Sequence, residues 1–167
     1  MATVKFKGQP VHTNGDLPKQ GAKAPDFTLT NSDLKDVSLK DFAGKKKLLS
    51  IVPSLDTGVC ALSARRFNEA AKKDPNLLIL FISADLPFAQ KRVADQDGLS
   101  NIQTLSMIRG KEFASKYGVL LTDGPLAGLA ARSVVVLDEN DNVLYTELVD
   151  EITSEPSYQQ ALDVLTK

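Results

Sequence analysis

Lys47-Leu48-Leu49-Ser50-Ile51-Val52-Pro53-Ser54-Leu55-Asp56-Thr57-Gly58-Val59-Cys60 carries the chain from a strand into a helix. Lys47 to Val52 reads as a continuous apolar strand. Pro53 ends its hydrogen bonding and fixes the approach to the helix. From Thr57 to about Lys73 the pattern is that of an amphipathic helix, stopped by Asp74-Pro75. On this helix Val59, Ser63, Phe67 and Ala70 are expected on one face, with Arg65 and Glu69 paired four apart on the other.

Cys60 is the only cysteine, and it sits at that strand-to-helix junction. The uncovered N–H groups and the positive end of a helix favour a thiolate, which is the attacking form of the sulfur. Thr57 precedes it by one helical turn, so its hydroxyl can approach the sulfur or hold an oxygen of an attacked molecule. Gly58 leaves backbone N–H groups uncovered. Together these residues form a pocket for a small polar molecule with two oxygens. The residues alone leave a second reading open, with Cys60 a small buried hydrophobe and Thr57 only a helix cap.

Outward from this segment, Val4 and Phe6, the turn at Gly8-Gln9-Pro10, then Val11 and Thr13 read as a β-hairpin. Asp26 to Thr30 alternates as a strand. Leu77 to Ser83 is apolar throughout, as a strand buried on both faces would be. A helix is expected from Pro87 to about Ala94, a strand over Ile102–Ser106, and a helical stretch from Gly110 to Tyr117. Ser133–Leu137 and Asn142–Leu148 flank the turn residues Asp138-Glu139-Asn140-Asp141. A last helix runs from about Glu155 to Leu165, with Pro156 in its first turn. This order predicts one α/β domain over residues 1–167, a mixed central sheet flanked by helices. A thioredoxin-like core with an added N-terminal hairpin fits it; a flavodoxin-like sheet uses similar pieces.

Composition narrows the function. A formal net charge of −1 gives no electrostatic reason to expect nucleic acid or an anionic membrane as partner. Lys45-Lys46-Lys47 reads as a solvated turn. One cysteine excludes an internal disulfide and the Cys-x-x-Cys chemistry of disulfide exchangers, and favours a reducing compartment. The single histidine, His12, reads as a hairpin residue, and no metal or cofactor site is expected. The N-terminus lacks the apolar run of a signal peptide and no stretch suffices to cross a bilayer, so the cytoplasm is the simplest location. A chain whose leader had been removed would look the same.

Pro53-x-x-x-Thr57-x-x-Cys60 resembles the peroxidatic signature of the peroxiredoxins. Ser83-Ala84-Asp85-Leu86-Pro87-Phe88-Ala89-Gln90, Asp123-Gly124-Pro125-Leu126 leading to Leu129-Ala130-Ala131-Arg132, and Asp138-Glu139-Asn140-Asp141-Asn142-Val143 are similar to the bacterial thiol peroxidase subfamily. The likeness spans essentially the whole chain. It implies that Cys60 attacks the peroxide O–O bond and becomes a sulfenic acid. It also implies that Thr57 holds the peroxide, Pro53 shields the pocket, and Arg132 stabilises the thiolate and polarises the substrate. Read alone, Arg132 is only a charge beside a strand. The implied substrates are hydrogen peroxide and alkyl hydroperoxides, for which Leu55, Val59, Leu86 and Phe88 offer apolar surroundings. The implied reductant is an external thiol, thioredoxin in the family, and the implied assembly is a homodimer. A peroxide-sensing or redox-regulated binding protein is the alternative function.

One position departs from that pattern. The subfamily usually carries a resolving cysteine in the helix after Pro87, and the matching residue here is Ala94. Peroxide reduction survives this change, while recycling through an internal disulfide does not. Ala94 is either natural, in a one-cysteine enzyme, or a deliberate replacement of cysteine.

Overall fold

The structure is a computed structural model describing residues 1–167. β1 (Thr3–Phe6) and β2 (Gln9–His12) form a separate antiparallel hairpin. The main sheet contains β3 (Leu29–Thr30), β4 (Asp36–Val37), β5 (Lys47–Ile51), β6 (Leu78–Ser83), β7 (Gln103–Ser106), β8 (Ser133–Leu137) and β9 (Val143–Leu148). Their order across the sheet is β4-β3-β7-β6-β5-β8-β9. β5, β6 and β7 run parallel, and the remaining pairs are antiparallel. The helices are α1 (Gly58–Lys73), α2 (Pro87–Asp97), α3 (Glu112–Lys116) and α4 (Tyr158–Thr166). This is the expected thioredoxin-like arrangement, hairpin included. No helix is long and apolar enough to cross a membrane.

Alternate strand residues supply two cores. Leu49, Ile51, Leu80, Ile82 and Val135 join the layer that contains the hairpin and α3. Leu48, Ile79, Phe81, Val134 and Val136 pack with residues of α1 and α4. Burial on both faces explains why the central strands read as unbroken apolar runs.

The α1 stripe keeps Ser63 and Phe67 of the expected face and shifts by one residue at the other two positions. Cys60, Ala64, Phe67 and Ala71 face the core, with Ser63 beside them, whereas Val59 and Ala70 are only half-buried. Arg65 reaches Asp97 of α2 at 3.4 Å instead of pairing with Glu69. The strand expected from Asp26 contracts to Leu29–Thr30 because the Asp26 carboxylate accepts the N–H groups of Phe27 (2.8 Å) and Leu39 (3.2 Å). Such local side-chain bonds compete with ladder formation. They also fix the approach to β4 and a 3₁₀ turn at Leu39–Phe42, neither of which the sequence pattern anticipates.

α2 continues three residues beyond Ala94 and stops at Gly98, whose φ of 68° suits a glycine. α4 begins after Ser157, so Pro156 precedes the helix and does not occupy its first turn. The expected 110–117 stretch is helical only over α3. Lys47 is no part of a solvated turn. It is fully buried in β5, with its ammonium on Asp141, as a charge without water requires.

Candidate active site

Strand pairing gathers the site at one end of the sheet. Ile51 at the end of β5 lies opposite Ser133 at the start of antiparallel β8, so Pro53 and Arg132 leave the sheet on the same side. Ser133 also faces Leu148 at the end of β9, which brings residues 149–153 there. Ile51 neighbours Ile82 on parallel β6, adding Ser83 and Asp85. Four segments distant in sequence thus meet around the start of α1.

Cys60 occupies the first turn of α1 and is wholly buried. Thr57 caps the helix. Its hydroxyl accepts the Cys60 N–H at 3.3 Å and donates to the Ser54 carbonyl at 3.3 Å. The sulfur is not among its hydrogen-bond partners, so the cap bond links Thr57 to Cys60 through the backbone. Arg132 is 3% exposed, and its guanidinium is fixed at two points. Nε donates to the Ile152 carbonyl at 2.8 Å and Nη2 donates to Cys60 Sγ at 3.2 Å. Nη1 is buried with no hydrogen-bond partner. A buried donor left unpaired costs about 1–3 kcal/mol, more when charged. Nη1 is the one nitrogen of the guanidinium left without an acceptor.

Arg132 lines a cavity of about 340 Å³ with otherwise largely apolar walls. The loop and helix start contribute Pro53, Thr57, Gly58 and Val59. Leu126 and Leu129 close a second side, while Phe6 of the hairpin and Ile152 close a third. Pro53, Thr57 and Arg132 are therefore brought together at this cavity, with Cys60 held behind them by Arg132. Of the apolar neighbours expected from sequence, Val59 alone lines it. Leu55 is packed in the core, and Leu86 and Phe88 are exposed elsewhere. A larger cleft of about 680 Å³ lies at the opposite, N-terminal ends of β5 and β6, remote from the sulfur.

Comparison with known proteins places the chain in a family. The redoxin family model matches residues 19–162. A thiol peroxidase of Corynebacterium glutamicum is 48% identical over 165 residues, spanning 99% of both chains. The chain belongs to the thiol peroxidases. Among solved structures, a peroxiredoxin-like protein from Aquifex aeolicus superposes with a TM-score of 0.91 at 35% identity, covering 99% of this chain and 96% of that one. A thiol peroxidase from Chromobacterium violaceum gives 0.90 at 27% identity, covering 98% and 95%.

This thiol peroxidase also uses a residue that the sequence marks only as part of a motif. Asp85 accepts Ser54 Oγ and the Leu55 N–H, each at 2.7 Å, and Ser83 Oγ at 2.6 Å. Its own carbonyl accepts Ser106 Oγ at 2.5 Å. The side chain thereby ties the loop before Thr57 to β6, and the backbone carbonyl adds β7. Only its place in Ser83-Ala84-Asp85-Leu86-Pro87 hints at this. Leu126 and Leu129 likewise stand in a subfamily motif, whereas Phe6 and Ile152 read as ordinary apolar residues until the fold brings them to the cavity. Ala94 is half-buried on α2, where its carbonyl accepts the N–H groups of Gly98 and Leu99 that close the helix.

Proposed function

We propose that this thiol peroxidase reduces hydrogen peroxide and alkyl hydroperoxides at Cys60, with Arg132, Thr57 and Pro53 completing the catalytic set. The Cys60 thiolate attacks the terminal oxygen of the peroxide, a sulfur–oxygen bond forms and the oxygen–oxygen bond breaks. Sulfur loses two electrons, the leaving alkoxide takes a proton to become an alcohol (water from hydrogen peroxide), and Cys60 becomes a sulfenic acid. Arg132 acts on both partners. Nη2 stabilises negative charge on sulfur, and Nη1 donates to the oxygen on which charge develops. Thr57 aligns Cys60 by capping α1, and Pro53 closes the cavity against water.

The organic part of an alkyl hydroperoxide occupies the apolar cavity. Two external thiols then restore the enzyme. The first condenses with the sulfenic acid, releasing water, and the second displaces it as a disulfide. Thioredoxin is the reductant the family suggests. The lone cysteine makes each attack intermolecular. We read residues 1–167 as one domain, acting as a homodimer in the cytoplasm.

The single observation that carries this reading is the divided guanidinium of Arg132, one nitrogen on sulfur and its twin buried without a partner. The test is a single turnover without thiol, followed by intact mass measurement. The protein should consume one equivalent of peroxide, gain one oxygen on Cys60, and stop. Peroxide loss no faster than with a free thiol would overturn the proposal.

A further inference from the structure

The carboxylate of Glu151 accepts four hydrogen bonds. Gly8 N–H (2.8 Å) binds Oε1, while Lys7 N–H (3.2 Å), Thr153 N–H (3.0 Å) and Thr153 Oγ1 (2.8 Å) bind Oε2. Lys7 and Gly8 form the β1–β2 turn with φ of 51° and 81°, a conformation that aims consecutive N–H groups at one anion. The same two segments are joined through the backbone, with Lys5 N–H on the Asp150 carbonyl and Ile152 N–H on the Lys5 carbonyl. Val4 and Val11 already anchor the hairpin in the apolar core. The carboxylate therefore acts at the turn, where it fixes orientation.

Two groups in this clamp belong to the peroxide cavity. The Ile152 carbonyl holds Arg132 Nε, and the Phe6 side chain forms part of the wall. We propose that Glu151 is a positioning residue of the peroxide reaction and sets its selectivity. Through Ile152 it fixes the Arg132 guanidinium, and through the Lys7–Gly8 turn it holds Phe6 against the organic part of the substrate. This rests on the peroxidase reading of Cys60. A carboxylate suits the task because it only accepts; a glutamine amide would set a donor against one of the four donors.

Two measurements on Glu151→Gln test the proposal. The first is the rate of single-turnover oxidation by cumene hydroperoxide relative to hydrogen peroxide. Misplacing the wall and the guanidinium should lower this ratio about tenfold from the wild-type value. A merely structural defect would slow both peroxides equally. The second is solvent exchange of the Arg132 Nε–H, followed by nitrogen-edited NMR of the reduced protein. It should accelerate about tenfold as the Ile152 carbonyl loosens. Should Glu151→Gln not fold, Glu151→Asp, one methylene shorter, carries both readouts. Either readout unchanged overturns the assignment. The exchange measurement needs no peroxide, so a failure of the peroxidase reading would be seen separately, as wild-type protein inert towards both substrates.

Discussion

In the proposed mechanism Arg132 addresses sulfur and substrate through different nitrogens of one planar group, which a lysine ammonium cannot reproduce. Arg132→Lys keeps the charge but loses both the fork and the Nε anchor on Ile152. Loss of one such donor to developing oxyanion charge costs about 10²–10³ in rate. Single-turnover oxidation of Arg132→Lys should therefore fall by that factor, close to the fall in Arg132→Met. A lysine variant retaining most of the wild-type rate would show that charge suffices without geometry. Thr57 makes a separable contribution. Thr57→Val removes the oxygen that accepts the Cys60 N–H and should cost about 1 kcal/mol of stability. Thr57→Ser keeps the oxygen, so its urea midpoint should stay near that of the wild type.

At the level of elements, Asp85 connects β6 to the loop that delivers Thr57 and Cys60. Asp85→Ala leaves the Ser54 hydroxyl and the Leu55 N–H without their acceptor. The expected cost is about 1–3 kcal/mol in urea unfolding, accompanied by slower peroxide oxidation. Unchanged values for both would assign Asp85 to the surface. The strand-to-helix junction itself is legible in the sequence because apolar β5, Pro53 and the cap residue Thr57 each carry a local signal. Those signals suffice to group Cys60, Thr57 and Pro53, and Arg132 joins them by family resemblance. The cavity walls are not legible in this way. Phe6, the Leu126–Leu129 loop and Ile152 come from three separate segments, and their meeting depends on which strands pair and in what register. Lys47 misleads for a related reason: its charge looks solvated because Asp141, its partner, lies across the sheet on the β8–β9 turn. The one-residue offset of the α1 stripe has a simpler cause. Ala64 and Ala71 are weak apolar markers, and a reactive cysteine at a helix start reads as facing substrate instead of core.

For the molecule as a whole, a lone sulfur leaves no internal partner to intercept its oxidised form. With peroxide in excess over thiol, mass spectrometry should show a second oxygen on Cys60 and a parallel loss of activity, because sulfenic acid proceeds to sulfinic acid. Constant activity through many turnovers would contradict this. Acid should act on the same assembly by another route. Four partly exposed carboxyls lie below their ordinary range. Asp36 is lowered mainly by the Arg109 hydrogen bond, Asp123 by the His12 side chain, and Asp138 by the Asn142 N–H. Glu151 is lowered from 4.5 to about 2, chiefly by the Thr153 N–H and then by that of Gly8. A carboxyl lowered on folding adds stability that is complete above its unfolded value and disappears as pH falls through the folded one. For Glu151 that window runs from about 4.5 down to about 2. Two of the four, Asp123 and Glu151, bind the N-terminal hairpin to the loops that wall the cavity. Urea midpoints should therefore fall as pH drops from about 4.5 towards about 2, and fall less in Glu151→Gln, which has no proton to gain at that site. Equal slopes for the two proteins would mean that the carboxylate has no preference for the folded state. The hairpin would then owe its place to Val4, Val11, the Lys5 backbone bonds and Asp123.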